Sequence, residues 1–423
     1  MNALHVLTDE ASIGVLSDVS DRSSPSSPSN HRIEFAYAAT WLSSPTRFAI
    51  SHSLPLRADP FGVEAERFFG NLLPEGAIRT AVCRRLGISE DNDFALLRAI
   101  GHECAGALRI VEEEREPATP QPDRRLRDAD LERWAGSGAY AGAVGVALRL
   151  SLAGAQDKLG VRVDGDKLLL PGQGSPSTHL LKFPHRDFAA LPQNEALVLS
   201  LARRVGLPTA DARLWTRHGA PLLLVARFDR SVGPPTRRRH QEDFAQALGL
   251  DRRRKYEAEG GPTFHRCLEL VREVSATPLP DSRSLLRWLA FCAVVGNRDN
   301  HAKNLSLLRD DTGHWRLAPF YDLVCTTAYG RLSARLAMTI GGRADAGNLP
   351  AVAWHDEART LGVKARYLVA VVEEVTDAIA QALAPAIGEL AEVLGRDDEL
   401  VPVRRAIDKG IRATRRGLRA RGP

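Results

Sequence analysis

A change of texture partway along the chain constrains its fold more than any other feature. Four short apolar runs between residues 160 and 230, GVRV, KLLLP, THLLKFP and PLLLVARFDR, read as strands. They enclose one helical segment, NEALVLSLARRVG, in which Leu197, Val198, Leu201, Ala202 and Val205 share a face before Gly206 and Pro208 end it. From Gln241 onward the text is mainly helical, and SLLRWLAFCAVVG (Ser284–Gly296) is apolar enough for a core helix. Tyr367–Leu383 and Ala386–Leu394 read as two helices separated at Pro385, which lacks an amide donor and clashes with the preceding turn. The expected class is α+β, a small strand-rich lobe followed by a larger all-helical one.

Ahead of the strands the text is helical again. VEAERFFGNLL from Val63 stops at Pro74, AIRTAVCRRLG ends at Gly87 as a C-cap, and a third helix starts near Asp93 and runs to Gly101. Residues 21–30, DRSSPSSPSN, cannot bury a core and read as a flexible loop. Glu112–Arg127 is charged and carries Pro117, Pro120 and Pro122, so it reads as a linker. The expected organisation is an N-terminal domain over 1–112, a linker over 113–127, the remainder of the strand-rich lobe over 128–235 and a helical lobe over 236–423.

Several classes are set aside. No apolar run approaches the roughly 20 residues of a membrane helix, and the N-terminus lacks a basic-then-apolar leader, so a cytoplasmic protein with no membrane partner is expected. Five scattered cysteines without a CxxC pair argue against a disulfide framework or zinc ribbon. Net charge is +5, but residues 404–423 hold eight Lys/Arg against one acid and carry +7 by themselves. Such a tail meets phosphate or an acidic surface, or is simply a solvated helix end.

The strongest chemical pattern is GNRDNHAKN, Gly296–Asn304, directly after the core helix. Protein-kinase catalytic loops place an Asp that orients the attacking hydroxyl and an Asn that holds Mg²⁺ at the spacing of Asp299 and Asn304. Asp322, eighteen residues beyond Asn304 in WRLAPFYDLV, stands where such an enzyme keeps its second metal carboxylate. Alone, an Asp…Asn pair on a polar loop is also a turn former. Lys182 sits mid-strand among Leu180, Leu181 and Phe183, costly to bury without an anion such as a nucleotide phosphate, with Glu195 on the next helix able to steady it; period-2 geometry equally permits a solvent-facing lysine. SLAGAQDK, Ser151–Lys158, has the small residues of a loop whose amides cradle phosphate, or of an ordinary tight turn. His102, Glu103 and Cys104 have no metal-spaced partner and read as structural, and Arg227 with Asp229 reads as a local ion pair. The series of phosphate loop, strand lysine, helix glutamate, Asp…Asn and Asp is the order a protein kinase uses.

Ten segments carry a closer resemblance: FFGNLLPEG, DNDFALLRAIGHECAGAL, SLAGAQDKLGV, THLLKFP, NEALVLSLARRVGLP, ARFDR, HQEDFAQALGL, KYEAEGGP, GNRDNHAKNLSLL and FYDLV, spread from about residue 35 to 340. The chain resembles the HipA family of serine/threonine-protein kinases, the toxin halves of bacterial type II toxin–antitoxin pairs. The resemblance implies a two-lobed, protein-kinase-like fold with an N-terminal cap domain, ATP and Mg²⁺ as cofactors, and a substrate among translation proteins, typically an aminoacyl-tRNA synthetase. It implies autophosphorylation at Ser151 and nucleotide binding by Ala153, Gly154, Ala155, Gln156, Asp157, Lys158 and Lys182, by the hinge Ala226, Arg227 and Phe228, and by Asn300, His301 and Tyr321. Asp299 becomes the catalytic aspartate, and Asn304 and Asp322 the metal ligands. The implied partner is a helix-turn-helix antitoxin of the HipB type. Operator DNA is expected only through it, because Arg343 stands alone where one branch of the family has a lysine cluster. A small-molecule phosphotransferase and a kinase-fold binding module acting with a DNA-bound partner are the alternative functions.

Overall fold

The computed structural model describes residues 3–19, 32–112, 121–137, 158–172, 174–216, 221–231, 233, 235–345, 347 and 349–420. The chain is a mixed α/β protein with two compact units. One comprises Met1–Phe183, Ala226–Arg253 and Leu308–Asp311, and the other Pro184–Val225, Arg254–Leu307 and Thr312–Pro423. The Ser/Pro-rich stretch 21–30 lies outside the described residues.

In the first unit β1 (Ala3–Leu7), β2 (Ser12–Asp18), β3 (Ile33–Tyr37) and β4 (Arg109–Val111) form an antiparallel sheet in the order β3-β2-β1-β4. Alternation decides which face is apolar: Leu4 and Val6 of β1 and Ile33, Phe35 and Tyr37 of β3 are all buried. Helices Val63–Asn71, Gly76–Leu86 and Asp93–Ile100 close that face, contributing Phe68, Phe69, Val82, Leu97 and Ile100 to one continuous core. Gly87 ends the middle helix in the left-handed conformation (φ 67°), which a residue without Cβ adopts at little cost. A second antiparallel ladder joins β5 (Arg124–Arg125) to β7 (Lys167–Leu170), β7 to β6 (Lys158–Asp164) and β6 to β8 (His179–Lys182). Within the stretch expected as a linker, Arg124–Arg125 therefore form an edge strand opposite Leu169 and Leu170.

A buried knot of charge ties this unit together. Glu103 accepts from Arg227 (3.0 Å), Arg230 (2.8 Å) and Arg238 (2.8 Å), while Arg227 also grips Asp229 at 2.6 Å. Burial alone raises the Glu103 carboxyl, but the three guanidinium groups together hold it well below the usual carboxylate range. The ion pair expected between Arg227 and Asp229 is thus one edge of a larger network, and His102-Glu103-Cys104 is structural through Glu103.

The second unit is built on helix Pro278–Val295, in which Leu285, Trp288, Leu289, Phe291, Cys292 and Val295 are buried. Trp288 stacks on Phe264 and Phe320, with ring centroids 6.5 and 5.8 Å away. Two expectations are corrected here. Region 236–423 is not all-helical: Arg335–Ile340 pairs with Arg343–Asp345 as a small hairpin, and Trp315–Leu317 is a further strand. The alternating apolar LAMTI and two positive-φ glycines, Gly341 (55°) and Gly342 (72°), suit a tight hairpin turn. The chain also does not break at Pro385, because one helix runs through Ala365–Leu394. Pro385 and Gln381, whose carbonyl loses its partner, are both exposed, where the lost bond costs least. Ile379, Leu383, Ala386 and Ile387 keep the helix seated on either side. The basic tail is the amphipathic helix Val401–Arg419, which buries Val403, Ile407 and Ile411 and passes so close to Val294 that a Cβ on Gly410 would meet its carbonyl oxygen at 2.0 Å. No helix among the described residues is long and apolar enough to cross a membrane.

The first unit also carries a pH-sensitive carboxyl. Glu242 accepts from the Ser51 hydroxyl (2.5 Å) and the His52 N–H (3.0 Å), yet burial outweighs both and pushes it up from 4.5 to about 8. Between those values unfolding releases a proton, so this group's contribution to stability falls as pH rises. Glu242→Gln is expected to show a smaller loss of stability than wild type from pH 5 to pH 8, measured by urea unfolding at each pH. Parallel curves would show that Glu242 is ionised in the fold.

Candidate active site

The helix Pro278–Val295 delivers the loop that bears the conspicuous aspartate. Gly296 turns the chain with φ 74°, and a Cβ there would lie 2.1 Å from Thr327 Oγ1, so conformation and space both demand glycine. Thr326 Oγ1 donates to the Gly296 carbonyl (3.0 Å) and accepts from the Arg298 N–H (2.9 Å). The buried Asn297 accepts the Asp299 N–H at 3.1 Å. The Asp299 carbonyl accepts the His301 N–H (2.9 Å) and Asn304 Nδ2 (2.7 Å). The loop is therefore closed on itself, while the Asp299 side chain stays 53% exposed. Its Oδ1 accepts the Tyr256 phenol at 2.6 Å and has His301 Nε2 at 3.9 Å; Oδ2 has no protein partner among the described residues.

Asp322 is held with φ 51°, one of two non-glycine residues in the left-handed region among those described. An L-residue there costs of order 1–3 kcal/mol and persists only where its surroundings over-determine it. They do so here. The Phe320 N–H donates to Pro208 O (2.8 Å) and the Ala210 N–H to Phe320 O (2.9 Å). Tyr321 donates its phenol to Lys303 O (2.9 Å), tying this segment to the Asp299 loop, and meets Ser306 Oγ at 2.6 Å. The buried Asn194 accepts from the Cys325 N–H (2.9 Å) and donates to its carbonyl (3.1 Å).

Asn304 and Asp322 supply an amide oxygen and a carboxylate, hard donors that suit Mg²⁺ completed by nucleotide oxygens and water. With Asn304 Nδ2 taken up by the Asp299 carbonyl, Oδ1 is the atom left without a protein partner among the described residues. The residues present fit such an ion. No cluster of three or more His, Cys, Asp or Glu side chains able to hold a metal occurs among the described residues. The Asn300 Oδ1 is buried without a hydrogen-bond partner there, an unsatisfied polar atom inside the same loop.

Lys158, Lys182 and the hinge residues belong to the first unit. Lys182 is buried on β8 and stands directly opposite Lys158 of β6 in the antiparallel register. Cross-strand partners share a face, and two like charges so placed destabilise a sheet unless an anion lies near. Of the hinge residues, Ala226 ends the strand Leu222–Ala226, and Arg227 donates its N–H to Thr178 O (2.9 Å) while its guanidinium is committed to Glu103 and Asp229. Phe228 is half-buried. Glu195 is fully buried in helix Leu191–Arg204 of the second unit. Ser151, Ala153, Gly154, Ala155, Gln156 and Asp157 lie outside the described residues. Sequence reasoning missed Tyr256, Asn297 and Asn194. Asn194 lies between Gln193 and Glu195, and Asn297 opens a polar loop, so neither stands out from its sequence neighbours.

Residues 4–111 match the HipA N-terminal domain and residues 150–383 the HipA-like C-terminal domain. A putative kinase of Sinorhizobium fredii, Y4mE, is 41% identical over 374 residues, covering 85% of this chain and 88% of that protein. The serine/threonine-protein kinase toxin HipA of Shewanella oneidensis is 29% identical over 376 residues, 83% of each chain. The solved complex of Shewanella oneidensis HipA with HipB and operator DNA contains a chain that superposes with a TM-score of 0.81 at 27% identity, over 98% of this chain and 97% of that one.

Adding a methyl at Gly296 forces the loop apart from Thr327. Gly296→Ala is expected to lose about 2 kcal/mol of stability, with the Asp299 loop displaced. Chemical denaturation with an unchanged midpoint would show that the loop absorbs the methyl freely.

Proposed function

Because the chain belongs to the HipA family of kinase toxins, we propose that it is an ATP- and Mg²⁺-dependent serine/threonine-protein kinase that arrests growth by phosphorylating a translation protein such as an aminoacyl-tRNA synthetase. The observation that carries this is the Asp299–Asn304 loop. A hydrogen bond from the Asn304 side chain to the Asp299 main-chain carbonyl closes the loop, and neither Oδ2 of the aspartate nor Oδ1 of the asparagine is taken up by the loop's own bonding.

Phosphoryl transfer asks a protein mainly for positioning and charge. Asp299 Oδ2 accepts the proton of the incoming hydroxyl and aims its oxygen at the γ-phosphorus, a role worth roughly 10²–10⁴ in rate. Lys182 and Lys158, cross-strand neighbours on one face of the sheet, meet phosphate oxygens. Asn300, His301, Tyr321, Ala226, Arg227, Phe228 and the loop Ala153–Asp157 are the further residues proposed to bind nucleotide. Mg²⁺ held by Asn304 and Asp322 would neutralise charge on the β- and γ-phosphates. The strand-rich part of 128–235 and the region 236–423 correspond to the two lobes of a protein kinase, with 1–112 as a cap domain and 113–127 as its linker. The partner is an antitoxin of the HipB type, which brings the enzyme to operator DNA; the solved Shewanella oneidensis complex, which contains HipA, HipB and operator DNA, supports this reading. The cytoplasm is the proposed compartment.

Phosphate on Ser151 adds roughly −1.5 to −2 charge beside a nucleotide's own phosphates and so displaces the phosphate loop, switching the enzyme off. Incubating the dephosphorylated full chain with Mg-ATP is expected to add one phosphate at Ser151 by intact mass and peptide mapping, with none in Asp322→Asn. No gain in wild type would remove autophosphorylation, and an equal gain in Asp322→Asn would remove the assigned metal ligand.

A further inference from the structure

The proposed mechanism leaves Tyr256 without a role, yet its phenol makes the one side-chain hydrogen bond to the Asp299 carboxylate among the described residues, at 2.6 Å. The contact joins positions 43 residues apart in the chain. The backbone beneath the phenol is built to hold it still. The Tyr256 carbonyl accepts the Glu259 N–H (2.9 Å) and the Gly261 N–H (2.8 Å). Gly260 supplies φ 85°, and a Cβ on Gly261 would lie 2.7 Å from the Tyr256 carbonyl oxygen, so the two glycines let the chain wrap tightly around this residue. The next residue, Glu257, anchors the turn to the strand Arg335–Ile340 by accepting the Thr339 N–H (2.6 Å) and hydroxyl (2.9 Å). On the ring itself the His301 imidazole packs edge-on, centroids 5.2 Å apart. A phenol with a fixed backbone and a packed ring is a preorganised donor.

We propose that Tyr256 is a positioning residue for phosphoryl transfer: it clamps Oδ1 of Asp299 so that Oδ2 is the oxygen presented to the acceptor hydroxyl. This rests on the assignment of Asp299 as the catalytic aspartate. A carboxylate on a single Cβ–Cγ torsion rotates freely unless one oxygen is tied, and a half-exposed aspartate held only by its main chain samples orientations that do not aim at the acceptor. The Asn297 and Asn304 side chains and the His301 N–H, all bonded to the Asp299 main chain, fix where Asp299 starts. Tyr256 fixes where its carboxylate points. A charge-assisted O–H···O⁻ bond is among the stronger hydrogen bonds a side chain makes, enough to select one orientation.

The test uses the full chain and follows Mg-ATP turnover as phosphate incorporated into the protein plus phosphate released. Tyr256→Phe keeps the ring and its packing on His301 and removes only the donor. It is expected to lower the rate at saturating Mg-ATP about tenfold or more, while the half-saturating Mg-ATP concentration stays within about twofold. In an Asp299→Asn background the same change is expected to cost nothing further, since the group it orients is gone. An unchanged saturating rate overturns the inference, as does a raised one, which would mean the phenol competes with the acceptor. A loss that persists in the Asp299→Asn background, or that appears in the half-saturating concentration instead, also overturns it. Should Tyr256→Phe fail to fold, Glu257→Gln loosens the same turn with the phenol retained, and the same split is required of it. If Asp299→Asn turns over at the wild-type rate, the kinase mechanism itself falls and this inference with it; if Asp299→Asn is inactive and Tyr256→Phe is silent, only the inference falls.

Discussion

The 2.7 Å hydrogen bond from Asn304 Nδ2 to the Asp299 carbonyl organises the chemistry of this protein. Its net worth is of the order of 1 kcal/mol, small against the stability of the unit that carries it. Its geometric effect is larger. It closes the loop from Asp299 to Asn304 and settles which atom of the asparagine amide is available for other work. The supporting contacts converge on the same loop: Gly296 against Thr327 at its start, Tyr321 on the Lys303 carbonyl at its end, and Tyr256 on the carboxylate. Asp322 can be kept in a left-handed conformation only because Asn194 and the Pro208–Ala210 segment hold the chain on both sides of it.

The first unit solves a different problem. Glu103, Asp229 and three arginines are buried together there, a costly arrangement that stands because each charge meets an opposite one. Removing one member strands the others, so the segment Ala226–Arg230 is fixed in place by electrostatics rather than by apolar packing. That segment includes the residues proposed as the hinge, and one side chain of it, Arg227, belongs to the structural frame.

Much of the fold was legible because local chemistry and tertiary context agree. Gly87 and Gly296 end helices at positions where a left-handed residue is needed, and the apolar run Ser284–Gly296 lies in the helix that forms the core of its unit. Pro385 misled because its penalty depends on whether the orphaned carbonyl faces water, which a linear reading does not reveal. The hairpin at Gly341-Gly342 was missed because LAMTI is short and stands in a region that otherwise reads as helical. In the candidate site, the Asp299…Asn304 spacing is local and stands out in the sequence. The contributions of Tyr256, Asn194 and Thr326 are long-range hydrogen bonds, with no spacing that betrays them. The cross-strand lysines, Lys158 and Lys182, were noticed separately, and only the register of β6 against β8 shows that they face each other.

The most direct test of the central claim is equilibrium binding of ATP to the full chain as Mg²⁺ is titrated, by calorimetry, for wild type and Asn304→Leu. The account predicts that Mg²⁺ tightens ATP binding in wild type and that Asn304→Leu loses most of that enhancement while keeping its affinity for the metal-free nucleotide. An identical Mg²⁺ response in the two proteins, or no ATP binding at any Mg²⁺ concentration, would contradict it.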